Sequence, residues 1–203
     1  RGEITTQVCA PYDGDALPDL AGFDAVAFTG SGVDWSTEDA RAAPLAAAMR
    51  AVFAAGLPTF GACNGMQLAA SVLGGRCEAS PNGLEQGLAR QIALTDAGRS
   101  HPMMAGRQDG FAACCIHRDE VSRLPEGAAL LATNAHSAVQ AFAYERQGVR
   151  FWGVQYHPEM SLAFIADLLA GIGRIDKVEA KSLAAADQSA EAAEQQGARP
   201  GDL

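Results

Sequence analysis

Residues 57–75 read LPTFGACNGMQLAASVLGG, a short apolar run that passes directly into a helical pattern through Gly61-Ala62-Cys63-Asn64-Gly65. A strand that enters a helix with no loop between them has few ways to fold. The helix must turn back over the sheet, and glycines let the turn approach its neighbours closely. Gly74 and Gly75 stop the helix. A second unit of the same kind lies upstream, with a buried strand in Asp24–Gly30 and a helix over Thr37–Ala55. That helix opens on a capping-box-like TEDA, and Pro44 marks where its regular turns begin. Strand, helix, strand, helix implies a parallel sheet with right-handed crossovers.

ITTQVCA (Ile4–Ala10) is β-branched and reads as a further strand. The second half is strand-rich: GLARQIAL, GFAACCIH, AALLATN, VQAFAY and VRFWGVQ, several of them expected to pair antiparallel. Ser161–Ile172 reads as a closing amphipathic helix. These elements place one α/β domain over residues 1–175. Residues 176–203 form an Ala/Gln/Glu-rich tail, expected to be partly helical or disordered because it has little apolar surface to bury.

The bulk properties exclude several partners. A net charge of −9 disfavours nucleic acid and anionic membrane surfaces, and no apolar run is long enough to span a bilayer. Five cysteines (Cys9, Cys63, Cys77, Cys114, Cys115) include no Cys-x-x-Cys pair. They read as reduced thiols in a cytoplasmic setting.

Cys63 carries the chemistry. In the frame Gly-x-Cys-x-Gly, at a strand-to-helix turn, it fits a nucleophile elbow. The helix N-terminus behind it favours thiolate and offers N–H groups to a developing oxyanion. The alternative is a buried cysteine at a tight turn. A nucleophilic thiol needs a base and the base an orienting group, and GVQYHPE supplies His157 and Glu159 with Pro158 between them. A metal at Cys114, Cys115, His117 and Asp119 is not expected, because adjacent cysteines on a strand face opposite ways. Cys9 and Cys77 read as apolar strand residues, Trp152 as core, His101 as an exposed turn and His136 as a loop residue near the mouth of the site.

With these motifs quoted, the chain resembles the class I, triad-type glutamine amidotransferases, most of all the glutaminase part of GMP synthase and its stand-alone relatives. The likeness runs from about Asp24 to Leu169, through FTGSG, GACNGMQ, LGGRCEAS, HRDEVSRLPEGA and GVQYHPE. It implies a flavodoxin-like, mostly parallel sheet with flanking helices and a small antiparallel strand set. It also implies Cys63 as nucleophile, His157 as general base then acid, and Glu159 as the orienting carboxylate. The backbone N–H groups of Gly30 and Asn64 would form the oxyanion hole. Gln67, His117 and Asp119 would contact substrate, with no metal and no cofactor.

Three departures stand out. Thr29-Gly30-Ser31 replaces the usual Ser-Gly-Gly, His117-Arg118-Asp119 replaces His-Gly-Asp, and the family's first strand and helix have no counterpart ahead of Ile4. A truncated N-terminus or a substitute segment is therefore expected. The leading expectation is hydrolysis of the L-glutamine side-chain amide through a γ-glutamyl thioester. The released ammonia would pass to a synthetase on a separate chain, since no ATP-binding motif is present. Two alternatives remain open, a stand-alone γ-glutamyl amide or peptide hydrolase and a catalytically silent regulatory subunit.

Overall fold

The computed structural model describes residues 3–184. In chain order its strands and helices are β1 (Val26–Phe28), α1 (Ala43–Ala54), β2 (Pro58–Ala62), α2 (Asn64–Val72), β3 (Arg76–Ala79), β4 (Glu85–Leu94), α3 (Asp96–Ser100), β5 (Phe111–His117), β6 (Asp119–Arg123), β7 (Ala129–Thr133), β8 (Ala141–Tyr144), β9 (Arg150–Val154) and α4 (Leu162–Gly171). Seven strands form one sheet in the order β1-β2-β9-β8-β7-β4-β5, and β3 pairs with β6 in a separate two-stranded sheet. The two strand–helix units produce the parallel part, in which β1 pairs with β2 and β2 with β9. From β9 outward the strands alternate in direction, as the closely spaced strands of the second half require.

The α/β class with flanking helices and a small antiparallel set is the architecture observed. On one face Met49 and Phe53 of α1 and Met66 and Leu68 of α2 pack over Phe142 and Phe151. The last two are fully buried, with ring centroids 5.3 Å apart. Burying each such phenylalanine is worth about 1.5–3 kcal/mol. The other face is filled by Ile92, Leu131, Met104 and Tyr156, and Ile165 and Leu169 of α4 close the far end against Cys114.

Several local expectations are corrected. Ile4–Ala10 is not a strand. It has no ladder partner, and Ile4 and Val8 are 87% and 91% exposed. β-propensity has no effect without a neighbouring strand to pack against. Cys9 is accordingly not a strand residue. The helix at 37–55 is regular only from Ala43, with Pro44 in its first turn as expected, but TEDA does not cap it. Thr37 turns to Ser71, and Asp39 instead caps a 3₁₀ turn over Ala40–Ala42. His101 is largely covered: it lies edge-on to Trp152 and its Nδ1 accepts from the Met103 N–H. The short elements β3, β6 and α3 carry too few apolar residues to have been read from periodicity.

β1 forms one edge of the large sheet. Beside it lies a cleft of about 1650 Å³ lined by Ile4, Val8, Val26, Phe28, Leu45 and Val52. Residues 177–184 are helical, in keeping with the first part of the expected tail, and 185–203 fall outside the described residues. No helix among the described residues is long and apolar enough to cross a membrane.

Candidate active site

Three parallel strand ends meet at the site. The register Phe28↔Gly61 and Ala62↔Val154 brings Gly30, Cys63 and the segment leading to His157 to one end of β1, β2 and β9. Cys63 stands between β2 and α2 with φ 50° and ψ −108°, a strained conformation for a residue with a Cβ. Its N–H donates to the Val154 carbonyl at 2.8 Å, which locks the elbow to β9. Gly65 in the first turn of α2 is required by close approach, since a Cβ there would collide with the Phe28 carbonyl. The sequence places glycine here because α2 starts directly against β1.

His157 is buried, its N–H anchored on the Cys114 carbonyl at 2.7 Å. Its Nδ1 lies 2.6 Å from Glu159 Oε1. A carboxylate at that distance accepts a hydrogen bond from Nδ1–H, which keeps the proton on Nδ1 and leaves the Nε2 lone pair free. That Nε2 is buried and, among the described residues, has no hydrogen-bond partner. Gly30 fixes the ring from the β1 side, since a Cβ there would come within 2.5 Å of His157 Cε1.

Cys63 is 6% exposed. Burial pushes its thiol up to about 12, and the Glu159 and Asp119 carboxylates push the same way, while the Asn64 N–H opposes them. The expected preference for thiolate at the helix N-terminus is therefore outweighed by desolvation. The Sγ donates to the Ile116 carbonyl at 3.7 Å rather than to His157.

The opposite wall is the turn from β5 to β6. Two side chains converge on the Asp119 carbonyl, Gln67 Nε2 at 2.6 Å and His117 Nδ1 at 3.1 Å. Gln67 also donates to Gln155 Oε1 at 3.2 Å. His117 Nε2 faces Glu85 Oε2 at 2.7 Å, and Glu85 further accepts from Asn134 and Gln140. Gln67 Nε2 and both ring nitrogens of His117 are thus engaged by protein partners, and Asp119 is the member of the expected trio whose carboxylate pairs with a long side chain, Arg118.

Glu85, Asn134, Gln140 and Gln155 were not expected at the site. Gln155 was within reach of the sequence, since it closes the VRFWGVQ run two residues before His157. Glu85 gives only the weak signal of an acid opening a long apolar strand. His136 packs edge-on against His117, and its Nδ1, His117 Nε2 and Glu85 come within 4.8 Å of one another. The Glu85 oxygens already accept N–H groups from His117, Asn134 and Gln140, so the trio reads as part of a hydrogen-bonded network.

Comparison with known proteins gives the same assignment. Residues 16–164 match the family model described as "Glutamine amidotransferase class-I". A γ-glutamyl-L-1-hydroxyisopropylamide hydrolase from Pseudomonas sp. is 37% identical over 169 residues, covering 79% of this chain and 56% of its own length. A glutamine-hydrolysing GMP synthase from Xanthomonas axonopodis pv. citri is 37% identical over 149 residues, 70% of this chain and 26% of its own. The chain thus spans about half of the first relative and about a quarter of the second. Among solved structures, a glutamine amidotransferase from Thermotoga maritima superposes with a TM-score of 0.72 at 20% identity, covering 92% of this chain and 79% of that one. Motifs, strand order and family match converge, and the chain belongs to the class-I glutamine amidotransferases.

Proposed function

We propose that this chain hydrolyses the side-chain amide of a γ-glutamyl compound through a Cys63–His157–Glu159 triad, with L-glutamine as the leading substrate. The observation that carries the reading is His157, whose Nδ1 is held by Glu159 while Nε2 stays buried and unpartnered beside the Cys63 elbow. A thiol that is neutral at physiological pH needs such a base. On this reading Cys63 rotates from the Ile116 carbonyl and gives its proton to Nε2 as the sulfur attacks the γ-carbonyl. The backbone N–H groups of Gly30 and Asn64 receive the oxyanion. The imidazolium then protonates the departing nitrogen, the C–N bond breaks, and a γ-glutamyl thioester and ammonia result. Water, deprotonated by His157, attacks the thioester, and the C–S bond breaks to give glutamate and the free thiol. Asp119 is the natural partner for the substrate's α-ammonium, with Gln67 and His117 holding it through its carbonyl. The ammonia would pass to a synthetase that aminates an acceptor.

The 37% identity to a γ-glutamyl-L-1-hydroxyisopropylamide hydrolase favours a second reading, with the same triad releasing an alkylamine from a γ-glutamyl alkylamide. Turnover of L-glutamine against γ-glutamylisopropylamide, combined with trapping by a diazo-ketone glutamine analogue, tests both. A covalent adduct on Cys63 is expected, with ammonia release fastest. Rapid amine release with inert glutamine selects the second reading. Absence of adduct and of both activities in folded protein means a silent subunit.

A further inference from the structure

From the sequence, Arg118 is either a solvated loop residue, the stronger expectation, or a contact to the substrate carboxylate; the structure places it in the β5–β6 turn, half-exposed and held by hydrogen bonds. Its Nε and Nη2 donate to the two oxygens of Asp119 at 2.7 and 3.0 Å, and its Nη1 donates to the Asp34 carbonyl at 3.0 Å. The Asp119 side chain is 8% exposed and that of Arg118 53%. The guanidinium therefore lies between a covered carboxylate and solvent. Asp34 belongs to the segment that follows Gly30, so the Arg118 bridge ties the oxyanion side of the site to the β5–β6 turn. Asp119 also lies near enough to Cys63 for its charge to act on the thiol. An exposed arginine–aspartate pair by itself contributes little. Here the side chain is held at both ends of its fork, and a binding group fixed in advance loses less freedom when a ligand arrives.

Both partners retain capacity. A guanidinium has five N–H groups, of which three are used, and a carboxylate has about four lone-pair sites, of which Arg118 takes two. A free amino-acid end presents an ammonium and a carboxylate on a single carbon. An aspartate and an arginine side by side complement that pair charge for charge, with bidentate geometry available to the arginine.

We propose that Arg118 reads the α-carboxylate of the γ-glutamyl substrate while Asp119 takes its α-ammonium, so that the site selects a free amino-acid end. The proposal rests on the γ-glutamyl reading above. Its test compares wild type, Arg118→Met and Arg118→Lys on whichever of L-glutamine and γ-glutamylisopropylamide is turned over, and on 4-aminobutanamide, which is glutamine without the α-carboxylate. Arg118→Met should raise KM for the carboxylated substrate about 10–100-fold, the loss of a charge-assisted pair, with kcat within about threefold. Arg118→Met also removes the partner of Asp119 and so shifts 4-aminobutanamide as well, but KM for that substrate should change much less than for the carboxylated one, so discrimination between the two collapses. Arg118→Lys should fall between, keeping the charge without the fork. Calorimetric binding of L-glutamate against 4-aminobutanoate gives the same comparison without turnover. Equal effects on both substrates, or a lower KM in Arg118→Met, would overturn the proposal and leave the γ-glutamyl reading intact. A wild-type protein inert to both amides removes that reading, and the proposal with it.

Discussion

The two walls of the site are built by different means. The wall with the reacting groups comes from three strand ends, each a short local segment: Gly30 beyond β1, Cys63 beyond β2, and His157 with Glu159 beyond β9. The facing wall is one turn, held by side chains from the whole second half and from α2: Gln67, Glu85, Asn134 and Gln140 around His117 and Asp119. The first wall is a backbone device, in which glycines permit close approach and a strained residue presents the sulfur. The second is a buried polar network, in which every member depends on the others. The difference suggests that chemistry and recognition can be broken separately.

The largest expected effect is on the chemical wall. Cys63→Ala should lower kcat by roughly four to six orders of magnitude, as loss of a nucleophile does elsewhere, with the unfolding midpoint nearly unchanged. Ammonia or amine release checks it, and residual turnover within tenfold of wild type would place the nucleophile elsewhere. Glu159→Gln should cost less, roughly 10²–10⁴ in kcat, because it removes the group that fixes the imidazole tautomer rather than the base itself. Its carboxylate is half-exposed, so water can partly replace it. An unaltered pH–rate profile in this variant would argue that Glu159 does not orient His157.

The recognition wall should respond in stability first. Glu85→Ala leaves His117 Nε2, Asn134 and Gln140 without their shared acceptor, and should cost about 3 kcal/mol in denaturant unfolding. In the surviving folded enzyme KM should rise more than kcat falls. The opposite split would show that the two walls are coupled after all.

The smallest effect lies at alkaline pH. Burial raises Cys63 from 9.0 to about 12 and Cys77 from 9.0 to about 11. Between pH 9 and those values the folded chain keeps protons that the unfolded chain loses, so these thiols make stability fall as pH rises through that window. Below pH 9 they contribute no slope. Chemical unfolding at pH 8, 9 and 10 should show the decline, and Cys77→Ala should flatten it while leaving turnover intact. A steeper decline in the variant would contradict the assignment.

Legibility followed the same division. The elbow, the His-Pro-Glu segment and the strands that carry them were readable because each needs particular residues at fixed short spacing. Pro44 and Ser161 likewise marked their helix starts, Ser161 accepting from the Phe164 N–H. Ile4–Ala10 misled because β-branched composition says nothing about whether a partner strand exists. Gln67 and His117 are expected at the substrate, yet Gln67 Nε2 is taken up by Asp119 and Gln155, 52 and 88 residues away, and His117 Nε2 by Glu85, 32 residues away.

The sequence by itself determined the type of fold and the chemical groups, since strand-to-helix turns and a cysteine, histidine and glutamate at the ends of strands are local choices of backbone and side chain. Only the tertiary structure decided the state of those groups. Desolvation made Cys63 a thiol rather than a thiolate, and packing left His157 Nε2 free. A bridge across 84 residues fixes the half-exposed Arg118 beside Asp119, in the substrate wall proposed above. Burial and long-range hydrogen bonding depend on what folding brings alongside, which no short stretch of sequence contains.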